Sequence, residues 1–184
     1  MDGILRTRVG YAGGEMLYPT YGSMGDHSES IQIDYDPARI AYEKLLEIFW
    51  KNHDPTYRAW RRQYMSAIFY HNEKQKRLAL ETMDSEEKRR NKKIQTEILP
   101  LGKFYLAEDY HQKYQLRQHR ELITEFKNMY PRTIDFINST AAARVNGYVS
   151  GYGSPDEVKM KLENLGLSAA SSQRLMEIAN RWKN

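Results

Sequence analysis

V-G-Y-A-G-G (Val9–Gly14) and I-Q-I-D-Y-D-P (Ile31–Pro37) decide the fold of this chain; between them lie P-T-Y (Pro19–Tyr21) and G-D-H-S-E (Gly25–Glu29). The first stretch ends a strand at a glycine turn, since Gly10, Gly13 and Gly14 allow backbone angles that a Cβ resists. Ile31, Ile33 and Tyr35 alternate with Gln32 and Asp34, the period-2 pattern of a half-buried strand over Ser30–Tyr35, and Asp36-Pro37 stops it. Glu29 shares the parity of the apolar residues. Its carboxylate is therefore expected on the core face, partly withdrawn from water, with its pKa raised so that it can donate a proton. An edge glutamate paired with one of the many lysines and arginines is the plainer reading of the same residue.

Working outward, Ile4–Tyr11 reads as the preceding strand, with Leu5, Thr7, Val9 and Tyr11 opposite Arg6 and Arg8. The loop from Ala12 to Ser28 is too long for a plain hairpin turn, and loops of that length are often functional. Tyr42, Leu45, Leu46 and Phe49 stripe a helix over Ile40–Asn52, which His53-Asp54-Pro55 ends. Ala67–Tyr70 is a short apolar strand. Asn72 and Gln75 then cap a helix that runs to about Arg90, with a narrow stripe at Leu78, Ala79 and Met83. Ile94–Ile98 reads as an outer strand, and A-E-D-Y-H-Q-K-Y (Ala107–Tyr114) as the entry to a further helix. Beyond it, Ile134, Ile137, Ala141 and Val145 share one helical face with a stop at Gly147. Ser154-Pro155-Asp156-Glu157 caps the next helix, Gly166 ends it, and Leu175, Ile178, Ala179 and Trp182 stripe the last.

Composition narrows the function classes. The chain has 184 residues, 28% charged and 40% hydrophobic, which suits a globular protein with a core of its own. No run reaches the roughly 18 apolar residues of a membrane-spanning helix, and the start lacks the pattern of a signal peptide. The net charge of +4 raises the question of acidic partners. Arg58, Arg61 and Arg62 around Trp60 mix basic and aromatic residues as nucleic-acid contacts do, and Lys88–Lys93 is a second cluster that equally suits a solvated helix end. Without a recognised binding motif neither makes nucleic acid an expected partner. There is no cysteine.

Eight motifs in one order carry a family resemblance: V-G-Y-A-G-G, P-T-Y, G-D-H-S-E, Y-D-P, F-W-K-N-H-D-P-T (Phe49–Thr56), Q-Y-M-S-A-I (Gln63–Ile68), Y-H-N-E-K-Q (Tyr70–Gln75) and A-E-D-Y-H-Q-K-Y. Over Gly3–Tyr114 the chain resembles the A-type peptide methionine sulfoxide reductases, as an animal-like member. The tail, including N-G-Y at Asn146–Tyr148, is similar to some animal members more loosely. The resemblance implies an α+β two-layer sandwich with a mixed β-sheet and a ferredoxin-like core, followed by C-terminal helices, with a reductase domain over 1–127 and a helical extension over 128–184. It implies reduction of methionine sulfoxide, in proteins or free, back to methionine, with no cofactor and with recycling by thioredoxin or dithiothreitol. Among the site residues, Glu29 would protonate the sulfoxide oxygen, Tyr21 and Tyr64 would donate to it, and His111, Tyr114 and Tyr11 would line the substrate site. As ordinary residues, Tyr21 and Tyr64 would be core tyrosines with satisfied hydroxyls and His111 a structural histidine. His111 and Tyr114, three apart, are expected on one helical face.

Two departures qualify the resemblance. The family's nucleophile lies in a G-C-F-W strand ahead of V-G-Y-A-G-G, and its Phe and Trp form the methyl pocket; this sequence has no such motif. Only Tyr57–Arg62 separates H-D-P-T from Q-Y, where the family carries a longer insertion with an aspartate. The expectation is a chain that lacks the family's first strand and helix, a splice variant or incomplete gene product that is inactive as written. The alternative is a non-catalytic module that recognises oxidised methionine. A monomer with no metal, membrane or nucleic-acid partner completes the reading, in the cytoplasm by default with nucleus or mitochondrion open.

Overall fold

A computed structural model describes residues 2–182. The described residues form two compact units, one of 9–31 and 36–107, the other of 2–8, 32–35 and 108–182. Strand β1 (Ile4–Ala12) and strand β2 (Ser28–Tyr35) contribute residues to both. Antiparallel and parallel pairings coexist with helices, so the expected α+β class holds.

In the first unit, helix α1 (Tyr42–Lys51) leads through a 3-10 turn at Arg62–Tyr64 to β3 (Ala67–Tyr70), α2 (Glu73–Arg90), β4 (Glu97–Pro100) and β5 (Tyr105–Leu106). β5 adds to β1 antiparallel, Tyr11 opposite Tyr105, within a sheet ordered β2-β1-β5. β3 and β4 pair in parallel with α2 as the crossover. The core between them is Leu46, Trp50, Ile68, Ala79 and Ile94. Trp50 buries its ring and donates its indole N–H to Thr82 Oγ1 at 3.0 Å, satisfying the one polar atom it takes inside. The α2 cap forms as the sequence indicates: Asn72 Oδ1 accepts from the Gln75 N–H at 2.9 Å. The expected strand Ile94–Ile98 starts later, at Glu97, because Ile94 is a buried core residue ahead of the ladder.

The second unit is mainly helical: α3 (Tyr114–Arg117), α4 (Arg120–Met129), α5 (Thr133–Asn138), α6 (Thr140–Val149), α7 (Pro155–Lys161) and α8 (Ala169–Arg181). One apolar cluster joins Leu116, Leu122 and Phe126 to Phe136, Val145 and Leu175. A boundary after residue 127 would cut α4 and part Phe126 from the aromatic and aliphatic residues it packs against, so the helices after 128 and those before it share one core. The single helix expected through Ile134–Val145 is two. Ser139 leaves the helical conformation (ψ 126), and its Oγ caps α6 by accepting from the Ala142 N–H at 3.0 Å. Gly147 lies inside α6; the left-handed residue after its end is Gly151 (φ +85), where a Cβ would meet the Trp182 ring at 2.9 Å. The capping box at Ser154 and Glu157 is present, with Pro155 at the first helical position. Trp182 is exposed, so the apolar stripe of α8 ends at Ala179. Arg8 ties the strand ends in this unit to the helices, donating to Asn138 Oδ1 at 2.8 Å and to Asp34 at 2.9 Å.

Candidate functional site

The loop that carries the candidate residues is held by two side chains to which the sequence reading assigned no role. His27 is fully buried. Its Nδ1 accepts the Gly14 N–H at 3.2 Å, which leaves Nε2–H to donate to the Met16 carbonyl at 2.8 Å. The ring also meets Tyr105 edge to face, centroids 5.4 Å apart. Asp26 accepts from the Glu15 N–H at 2.9 Å and the Met16 N–H at 3.2 Å, and these backbone donors hold its carboxyl below the usual range. A Cβ on Gly14 would lie 2.4 Å from the Asp26 carboxylate and 2.7 Å from the His27 backbone nitrogen. Glycine is needed there for close approach rather than for its angles.

The 3-10 turn is fastened to the same loop. Arg62 donates to the carbonyls of Asp26 at 2.8 Å and Gly13 at 3.1 Å, and Ser28 Oγ donates to the Arg62 carbonyl at 2.7 Å. Next to it, Gln63 Nε2 donates to Glu29 Oε1 at 2.7 Å. The structure thus brings Glu29 to Gln63, the residue before Tyr64, across 34 residues of chain. Tyr21 belongs to the same unit, at the tip of the turn closed by reciprocal backbone bonds between Thr20 and Ser23 at 3.0 and 3.1 Å.

The expected burial of Glu29 is not found. It does share the face of Ile31, as the alternation requires, but that face is open: Glu29 is exposed and Ile31 is 59% exposed. Alternation fixes which side chains share a face and is silent on what covers it. Neither Tyr21 nor Tyr64 is a core tyrosine; they are 45% and 46% exposed, leaving phenol edges open to a ligand. Tyr11 is the reverse. It is 2% exposed and packs in a small cluster with Met24 and Ala107, so its ring serves the interior of the unit rather than an open substrate surface.

His111 and Tyr114 belong to the other unit. They do not share a helical face. His111 ends a 3-10 turn, Gln112 is extended (ψ 127), and Lys113 is left-handed (φ 52) before α3 begins at Tyr114. The break has a physical anchor: Lys113 is buried and donates to the Thr7 carbonyl and, at 3.2 Å, to Thr7 Oγ1. Burial and the nearby Arg8 guanidinium lower its pKa to about 8.

Gln63, Asp26 and His27 were the residues the sequence withheld. The last two stand inside a quoted motif, and the only trace of their work is the glycine that makes room for them.

Residues 1–143 match the family model described as peptide methionine sulfoxide reductase. The chain belongs to that family. A peptide methionine sulfoxide reductase of Drosophila melanogaster is 42% identical over 173 residues, covering 93% of this chain and 69% of the fly protein. Peptide methionine sulfoxide reductase A5 of Oryza sativa is 40% identical, covering 85% of this chain and 63% of its own length. The chain thus spans about two thirds of these curated relatives. Among solved structures, Mxr1 of Saccharomyces cerevisiae in reduced form superposes with a TM-score of 0.59 at 30% identity, covering 65% of this chain and 74% of that one. Methionine sulfoxide reductase A of Corynebacterium diphtheriae gives 0.55 at 31%, covering 64% and 65%. Against this family membership, the 184 residues contain no thiol.

Proposed function

We propose that this chain holds the oxygen-binding part of a methionine sulfoxide reductase site, and that it engages oxidised methionine without reducing it by itself. The observation that supports this reading is the 2.7 Å bond to the exposed Glu29 carboxyl from Gln63, the residue before Tyr64. The hydroxyls of Tyr21 and Tyr64 can donate to a sulfoxide oxygen, and Glu29 in its protonated form can do the same. These are the groups that the oxygen needs; the sulfur needs a different one.

Reduction of a sulfoxide consumes two thiols and yields the thioether, a disulfide and water. Thiolate is the nucleophile that attacks sulfur near neutral pH. With no cysteine among its 184 residues, the chain can supply neither the attack nor the disulfide exchange by which thioredoxin would recycle a member of this family. Thioredoxin belongs to this reading as the partner of a form that carries thiols.

Two measurements test it. Incubation with dabsylated methionine sulfoxide and dithiothreitol gives no turnover above a heat-killed control; turnover refutes the non-catalytic half. Titration with a methionine sulfoxide peptide gives saturable binding that Tyr64→Phe and Glu29→Ala weaken; no saturable binding refutes the other half.

A further inference from the structure

Beside Tyr64 stands a surface that the oxygen-holding residues do not use. Trp60 is 68% exposed, and its ring lies 5.7 Å from the Tyr64 ring, tilted by 40°. The Arg61 guanidinium sits 4.4 Å from the Trp60 centroid. Tyr57 and Arg58 are also exposed. A tryptophan so open loses the benefit of burying a large apolar area; its ring is met by the Tyr64 ring and the Arg61 guanidinium.

The charges around it are one-sided. From Pro55 to Asn72 there are three arginines and no acidic residue. Arg62 is committed to two backbone carbonyls. Among the described residues neither the Arg58 nor the Arg61 guanidinium makes a hydrogen bond or ion pair, and that of Arg61 lies over the Trp60 ring. Two carboxylates are fixed to this segment and both are engaged, Asp54 by the Thr56 N–H and hydroxyl and Glu29 by Gln63. One guanidinium thus lies over an exposed indole that meets Tyr64, and a second, that of Arg58, is carried two residues before it without an ion pair among the described residues.

We infer that Trp60, Arg58 and Arg61 form a subsite for the polypeptide around the oxidised methionine, and that the substrates are segments with acidic residues beside the sulfoxide. The indole covers the apolar stem of a substrate side chain while the guanidiniums pair with its carboxylates. The arrangement is a specificity element of the site proposed above and rests on that reading. Nucleic acid would also suit arginine beside tryptophan. A nucleic acid has no sulfoxide to offer the neighbouring Tyr64, while a peptide can place a neutral sulfoxide there and its acidic residues further along.

Four fluorescein-labelled peptides test this: a central methionine or methionine sulfoxide, flanked by aspartates or by lysines, titrated against the intact chain by anisotropy at low and physiological salt. The expected result is a preference of roughly fivefold for the acidic sulfoxide peptide over the basic one, the size of two exposed ion pairs, shrinking with salt. Arg58→Glu with Arg61→Glu inverts that preference, and Trp60→Ala weakens both sulfoxide peptides. All three positions are exposed, so thermal melts should match the parent and separate lost binding from lost folding. Equal affinity for acidic and basic sulfoxide peptides overturns the subsite but leaves the oxygen-binding reading intact. Failure of every sulfoxide peptide overturns both. Acidic peptides bound equally with and without the sulfoxide overturn the link to oxidised methionine, and tighter binding of single-stranded DNA than of any peptide overturns the choice of ligand class.

Discussion

Replacing His27 with alanine should collapse the loop on which Tyr21 and Glu29 depend, although His27 faces no solvent and neighbours no proposed ligand atom. The imidazole joins Gly14 to Met16 by two hydrogen bonds, 3.2 and 2.8 Å long, and fills the space against Tyr105. Each lost bond costs about 1 kcal/mol, more for the Gly14 N–H if it stays shielded, whereas the exposed Met16 carbonyl can recover a water. Removing a fully buried ring adds roughly 2 kcal/mol of lost contact and residual cavity. The sum is about 4 kcal/mol, a large part of the roughly 5–15 kcal/mol that holds a domain together. Urea unfolding measures this directly, and amide exchange at Gly14 should accelerate even where the unit remains folded. Loss of less than about 1 kcal/mol, with Gly14 still protected, would refute the assignment of His27 as the tie of this loop.

Two further predictions concern the other unit. Lys113 has its pKa lowered to about 8 by burial, so the unfolded chain binds the proton more tightly than the folded one. The cost of carrying the charge is full below about pH 8 and is relieved as pH rises toward 10.5. Stability of this unit should therefore increase between pH 8 and 10, by up to about 3 kcal/mol, and Lys113→Met should remove that dependence; a flat profile in the parent would contradict it. Gly147→Ala should stabilise α6 by about 0.5–1 kcal/mol, since a Cβ there meets nothing within 4 Å, while Gly151→Ala should destabilise through both its left-handed φ and the Trp182 ring. Thermal melts of the two variants should move in opposite directions, and movement in the same direction would sink the assignment of Gly151 as the end residue.

The amino-acid sequence alone determined whatever local chemistry decides. β1, β3 and α2 fall where alternation, apolar runs and the Asn72 cap place them, and the Ser154 capping box forms from four adjacent residues. The family, too, was legible in the order and spacing of its motifs. Only the tertiary structure decided that Glu29 and Ile31 face outward, that Gln63 reaches Glu29 across 34 residues, that Lys113 breaks the helix between His111 and Tyr114, and that Ser139 divides one apolar stripe into two helices. The physical reason is common to all four. A periodic pattern states which side chains lie together, whereas burial, a distant hydrogen-bond partner or a buried charge depends on what the rest of the chain brings to that face.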